Sequence, residues 1–118
     1  MPSSSRQSRH LPAFILLALT EGPLHGHAIR STLQETLPGY KADPGATYRT
    51  LQALEEAGDV TFHWDTHSRG PARKIYTLTT SGWERLDHWK ADIEKRLAFL
   101  RTFLDRYDRS KGKRAQPK

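Results

Sequence analysis

Asp43 to Gly58 reads DPGATYRTLQALEEAG, and this stretch has the outline of a capped amphipathic helix. Asp43 stands at the N-cap and Pro44 at the first helical position, where a missing N–H costs nothing. Leu51 and Leu54 fall on one face, with Tyr48 one turn before Leu51. Gly58 supplies the left-handed stop.

Two helices are expected before it. Leu11 to Thr20, LPAFILLALT, is apolar on nearly every side, with Phe14, Ile15, Leu17 and Leu19. Such a helix sits in a core or between subunits. Pro12 suits its first turn and Glu21-Gly22-Pro23 ends it. A buried strand is the competing reading, and Ala13 and Ala18 favour the helix. His25 to Leu37 places Ile29, Leu33 and Leu37 at i, i+4 and i+8, a single helical stripe. Gly26 near its start lets another backbone come close. Pro38-Gly39 terminates it, and Tyr40 to Ala42 leads into the capped stretch. Two helices joined by a short turn, the second opening on a capped Pro-Gly, match a helix-turn-helix.

A hairpin follows. Asp59 to Asp65 alternates Val60, Phe62 and Trp64 against Thr61 and His63, as a half-buried strand does. The turn-rich THSRGP comes next, and then ARKIYTL resumes β character. Arg69, Gly70, Arg73 and Lys74 lie near the tip. An isolated hairpin is marginal in water, so Val60, Phe62 and Trp64 must pack on the helices.

Thr79 to Tyr107 is the longest element. Leu86, Trp89, Ile93, Leu100, Phe103 and Tyr107 occupy heptad a and d positions; Leu97 and Leu104 widen the stripe, and Arg96 interrupts it. At 1.5 Å per residue the helix runs on the order of 40 Å, longer than a body of this size needs. A second copy is the economical cover for the surplus apolar face, with Phe14 joining the interface. The competing reading folds this helix onto the chain's own first helix. The expected fold is mostly α with a two-stranded β-wing: a winged helix-turn-helix over residues 11–78 and one long C-terminal dimerisation helix over 79–108. A disordered basic arm, residues 1–10, and a disordered basic tail, residues 109–118, flank them.

Composition fits this outline. The 118 residues suit one small domain, and 36% hydrophobic content implies a modest core. Net charge is +6, with +2 in the first ten residues, +5 in the last ten and −1 between them. Basic ends on a near-neutral body point to nucleic acid or another anionic surface, because phosphate contacts release counterions. Without cysteine there is no disulfide, thiol catalysis or Cys-based zinc site, and a reducing cytoplasm is compatible. The longest apolar run, Leu11 to Leu19, is too short to span a bilayer, and the polar N-terminus lacks a signal-peptide cleavage site. The expected location is therefore cytoplasmic, with no membrane partner.

The candidate reading face of the third helix is Thr47, Tyr48, Arg49 and Gln52. Arg pairs bidentately with guanine and Gln with adenine. Thr47 and Tyr48 suit phosphate contacts, which position without specifying. Tyr48 reads equally well as a core aromatic, since it shares a face with Leu51. Arg69, Gly70, Arg73 and Lys74 form the candidate wing, where Gly70-Pro71 turns tightly. His25 and His27 form a His-x-His, but on a helix i and i+2 do not share a face, so no metal is expected. No nucleophile triad, phosphate-cradling Gly loop or paired-carboxylate cleft stands out, so neither an enzyme nor a cofactor is expected.

Three segments, LPAFILLALTEGPLHGHAI, DPGATYRTLQALEEAGDV and GPARKIYTLTTSGWERL, resemble the signature blocks of PadR-family transcriptional regulators, in the family's order, over Leu11 to Leu86. The resemblance implies a bacterial or archaeal, nucleoid-associated winged-helix regulator of double-stranded DNA. Such proteins are usually dimers and usually repressors, and a single C-terminal helix resembles the short-tailed subgroup. It also implies that the third helix enters the major groove while the wing reaches phosphates or the minor groove. Some members hold a flat aromatic effector between subunits, which makes Trp89 and Ile93 candidate pocket residues as well as packing residues. Three departures stand near the presumed DNA surface. Ala46-Thr47-Tyr48 replaces the usual Thr-Leu-Tyr, Gly26-His27 replaces Gly-Tyr, and Ala72-Arg73 leaves one wing Arg where two are usual. The expected function is a homodimeric repressor on a palindromic operator. The alternative is a winged-helix protein-interaction module without operator specificity.

Overall fold

The computed structural model describes residues 8–41, 43–67 and 69–115. The chain divides into two compact units, Met1–Leu86 and Asp87–Lys118. Residues 1–7 of the expected arm and 116–118 of the expected tail lie outside the described residues.

The first unit holds three helices, a small sheet and the start of a fourth helix. Helix α1 spans Leu11–Ala18 with Pro12 in its first turn. Its near-uniform apolar surface is used: Leu11, Ala13, Ile15 and Leu16 are buried, and Leu19 follows them into the core. Helix α2 spans Gly26–Thr36 and contributes Ile29 and Leu33. Helix α3 spans Pro44–Glu56 and contributes Thr47, Leu51 and Leu54. Val60 and Tyr76 close the core from the sheet.

Both ends of α3 follow from local chemistry. The Asp43 side chain accepts a hydrogen bond from the Gly45 N–H at 3.0 Å, the N-cap arrangement. At the other end the Asp59 N–H bonds the Leu54 carbonyl at 2.9 Å and the Gly58 N–H bonds the Glu55 carbonyl at 3.0 Å. This pair of bonds is a Schellman motif, and Gly58 carries its left-handed residue with φ +84°.

The expected two-stranded wing is present, and the sheet has a third strand beside it. Strands β2 (Val60–Asp65) and β3 (Arg73–Leu78) form the antiparallel hairpin, with Val60 opposite Leu78 and Asp65 opposite Arg73. Strand β1, Leu24–His25, adds to the other edge of β3, giving the order β1-β3-β2. His25, expected to open the second helix, therefore lies in a strand, and α2 begins at Gly26. Two residues are too few to carry an alternation signal, yet they satisfy part of an otherwise open sheet edge. The wing's apolar face is also only partly covered. Val60 is buried and Phe62 half-buried, while Trp64 is 53% exposed and sets its ring edge-on to Phe62 at 5.8 Å.

Helix α4 spans Thr80–Ala115. Thr79 caps it: its hydroxyl accepts from the Gly82 N–H at 3.0 Å and donates to the Gly58 carbonyl at 2.7 Å. The tail expected to be disordered from residue 109 is helical to Ala115. Arg109, Lys111, Lys113 and Arg114 are sound helix formers, and cations at a helix C-terminus complement its dipole. At the other end of the chain, Ser8–His10 form one turn of 3-10 helix leading into α1 rather than disordered arm.

In the second unit, Leu97, Leu100, Phe103, Leu104 and Tyr107 are exposed. The Phe103 and Tyr107 rings stack one turn apart, 6.4 Å between centroids and 16° between planes. Ion pairs Lys90–Glu94 at 2.8 Å and Asp92–Arg96 at 2.9 Å link successive turns. Trp89 and Ile93 are half-buried, as are Leu86 and Phe14 in the first unit. Among the described residues no helix is long and apolar enough to cross a membrane.

Candidate nucleic-acid interface

The outer face of α3, the start of α2 and the wing enclose an open groove, with His27, Tyr48, Gln52, Glu56, Trp64 and Arg73 among its lining residues. The proposed reading face divides across α3. Arg49 and Gln52 are exposed, three residues apart on the same side of the helix. Arg49 lies back along the helix, and a Cβ built on Gly45 would come within 2.9 Å of its Nη1.

Thr47 is a correction. It is 0% exposed, and its hydroxyl donates to the Asp43 carbonyl at 3.0 Å. A hydroxyl so committed is unable to reach a phosphate. It satisfies itself within the first turn, the back-bond available to Thr in helices.

Tyr48 resolves differently from either simple reading. It is 46% exposed, so it is not a core aromatic. Its ring instead rests on Gly26 at the start of α2, where a Cβ would meet the ring at 2.6 Å. The close approach that Gly26 permits is therefore to this ring, held over the groove, and not to a neighbouring backbone.

The wing residues also divide. Arg69, Gly70 and Arg73 are exposed around the tip. Lys74 is half-buried. Its ammonium lies 3.6 Å from Glu55 Oε1 on α3 and 4.0 Å from the centroid of Phe62. Burial, with the Glu55 carboxylate next in weight, raises the pKa of the nearby Tyr76 phenol above its ordinary value.

Three residues that the fold puts to use stand outside the expected site. His25 stands out there only as half of a His-x-His; in the fold its Nε2 lies 3.0 Å from Asp65 Oδ2, reaching past β3 to β2. Glu56 lies at i+7 from Arg49 and i+4 from Gln52, a spacing that already places it on the reading face. Asp59 is 1% exposed, and its carboxylate accepts from Ser81 Oγ at 2.8 Å and Arg85 Nε at 3.0 Å.

Residues 15–88 match the transcriptional regulator PadR-like family. The negative transcriptional regulator PadR of Bacillus subtilis (strain 168) is 34% identical over 82 residues, covering 69% of this chain and 45% of that protein. The chain thus spans about half the length of this curated relative. The crystal structure of Bacillus subtilis PadR in complex with operator DNA is similar, with TM-score 0.63 and 34% identity over 69% of this chain and 46% of that one. A PadR family transcription regulator from Clostridium difficile R20291 shares the fold, with TM-score 0.71 and 22% identity over 80% of this chain and 98% of that one. The match that the three sequence blocks led us to expect runs from α1 into α4, and the chain belongs to the PadR-like family of transcriptional regulators.

Proposed function

We propose that this chain is a sequence-specific DNA-binding regulator, acting as a homodimeric repressor on a palindromic operator. The observation that carries the proposal is the outer face of α3: Arg49 and Gln52 are exposed side by side on a capped helix whose other face is locked into the core. Two base-reading side chains on a rigid helix beside a basic wing tip are what major-groove readout requires. The similarity to a protein solved with operator DNA, and to a negative regulator, supports both the partner and the sign of regulation. Arg69 and Arg73 supply backbone contacts at the wing, and Tyr48 places a hydroxyl over the groove.

The exposed stripe Leu97, Leu100, Phe103, Leu104 and Tyr107 supports pairing with a second copy, since apolar area of this kind on a helix calls for a partner. Trp89 and Ile93 continue that stripe along the second unit, and Phe14 and Leu86 are the first unit's own candidates for pairing. An effector of this regulator would be a small aromatic molecule stacked on Trp89 beside Ile93, a reading that rests on family resemblance and on the half-buried positions of both residues.

The second reading, a protein-interaction module, has one observation in its favour. Glu55 and Glu56 line the same groove as Arg73 and Lys74, so the surface is of mixed charge. Selection of duplexes from a random-sequence pool separates the two readings. A regulator enriches a two-fold symmetric motif and loses affinity steeply with salt. Failure to enrich any motif, together with a shallow salt dependence, contradicts the regulator.

A further inference from the structure

Lys74 is a wing cation beside the reading helix, and its position invites assignment as a phosphate contact. The contacts of its ammonium argue otherwise. Nζ lies 3.6 Å from Glu55 Oε1, 4.0 Å from the centroid of Phe62 and 5.9 Å from that of Trp64. A cation over an aromatic face and beside a carboxylate already has its charge answered on two sides. Its partners sit on two other elements. Glu55 belongs to the last turn of α3, whereas Phe62 and Trp64 belong to β2. Lys74 itself is on β3, directly opposite Trp64.

We infer that Lys74 is a positioning residue that ties the wing to the reading helix through Glu55, and is not itself a DNA contact. This rests on the proposed DNA-binding function. The tie matters because the sheet supports the wing only near its base: Val60 and Tyr76 are buried, but Trp64 is largely exposed. Beyond that base the Lys74–Glu55 pair is the ionic link between β3 and α3 among the described residues. Holding the two surfaces in one geometry lets Arg49 and Gln52 meet bases while Arg69 and Arg73 meet backbone. Selectivity, more than raw affinity, depends on that simultaneity.

The two assignments of Lys74 make opposite predictions about Glu55. As a phosphate contact, Lys74 competes with Glu55 for its charge, and neutralising Glu55 strengthens binding. As a positioning residue, Lys74 needs Glu55, and neutralising either one lowers selectivity. The test measures affinity of the full chain for a duplex selected by the wild type and for a shuffled duplex of equal length, over a salt series. K74Q, E55Q and the double variant are compared, with circular dichroism verifying each fold. The expected result is a fall of about fivefold in the selected-to-shuffled ratio for each single variant. The double variant falls no further than either single one. The slope of log affinity against log salt stays at the wild-type value.

Tighter binding by E55Q on both duplexes, with a K74Q slope shallower by about 0.9, makes Lys74 a phosphate contact and overturns the inference. Unchanged ratios in both single variants overturn it as well. A wild-type chain that selects no duplex removes the DNA-binding reading and this inference together. Intact wild-type selection with either of the former results removes the inference alone.

Discussion

Arg85 donates from Nε to the buried carboxylate of Asp59 across 3.0 Å, and the bond completes a residue that uses every polar atom it has. The Asp59 N–H closes the Schellman turn of α3 on Leu54, and its carbonyl accepts from the Thr79 N–H at 3.2 Å. Its other carboxylate oxygen accepts from Ser81 at 2.8 Å. The end of α3, the start of β2 and the cap of α4 are therefore fastened at one residue, by its backbone and its carboxylate together.

Asp59→Ala keeps the two backbone bonds but removes the carboxylate half of that fastening, leaving Ser81 and Arg85 without their acceptor. The expected loss is about 2 kcal/mol, the usual scale for breaking a buried charge-assisted network. Thermal denaturation should show a fall of roughly 10 °C. Arg85→Ala should cost less, about 1 kcal/mol, because Ser81 still bonds the carboxylate and the half-exposed place of Arg85 admits water to its other oxygen. Equal losses from both substitutions would contradict the central place given to Asp59.

Gly26→Ala separates stability from binding. The new methyl group meets the Tyr48 ring, whose outer end is free to swing into solvent. Helix propensity at position 26 improves at the same time. Thermal stability is therefore expected to stay within a few degrees of wild type, roughly the effect of under 1 kcal/mol. Affinity for a selected duplex falls roughly three- to tenfold, about the value of one positioned hydrogen bond. Full affinity in the variant would show that the ring's place over Gly26 is irrelevant to DNA.

Arg49→Ala should lower affinity for the selected duplex by roughly ten- to a hundredfold, the range for one bidentate base contact. Binding to shuffled DNA should change far less, since backbone attraction comes mainly from the wing and the chain ends. Parallel losses on both duplexes would make Arg49 a backbone contact.

Leu100→Asp tests the second unit. An aspartate in the middle of the exposed stripe opposes burial against a second copy. Analytical ultracentrifugation should find monomer, and operator affinity should fall with it. A dimer of undiminished strength would move the interface elsewhere.

Much of this structure is legible in the chain. Asp43, Pro44 and Gly58 announce α3 because caps and left-handed stops are local, and local chemistry survives folding. The heptad of α4 and the apolar ring of α1 are likewise read from spacing alone. What escapes depends mostly on long-range packing. β1 is two residues long and exists only because β3 offers it an edge. Thr47 looks like a surface hydroxyl because threonine is mostly exposed. Yet it precedes Leu51 by four positions, one helical turn, and so shares the buried stripe of Leu51 and Leu54. Spacing allows that burial, and a first-turn back-bond that satisfies the hydroxyl makes it tolerable. The pairing of Lys74 with Glu55 is hidden because the carboxylate lies far back in the chain, on another element. The helical end of α4 is hidden by polarity, which marks a solvated helix as readily as a disordered tail.

The central claim, that a symmetric pair of these chains reads DNA through α3, is tested most directly by hydroxyl-radical footprinting on a selected duplex. The expected result is two protected half-sites related by a two-fold axis and centred about one helical turn, or a whole number of turns, apart, with Arg49→Ala erasing the protection. A single asymmetric footprint, or a symmetric one that Arg49→Ala leaves intact, would contradict it.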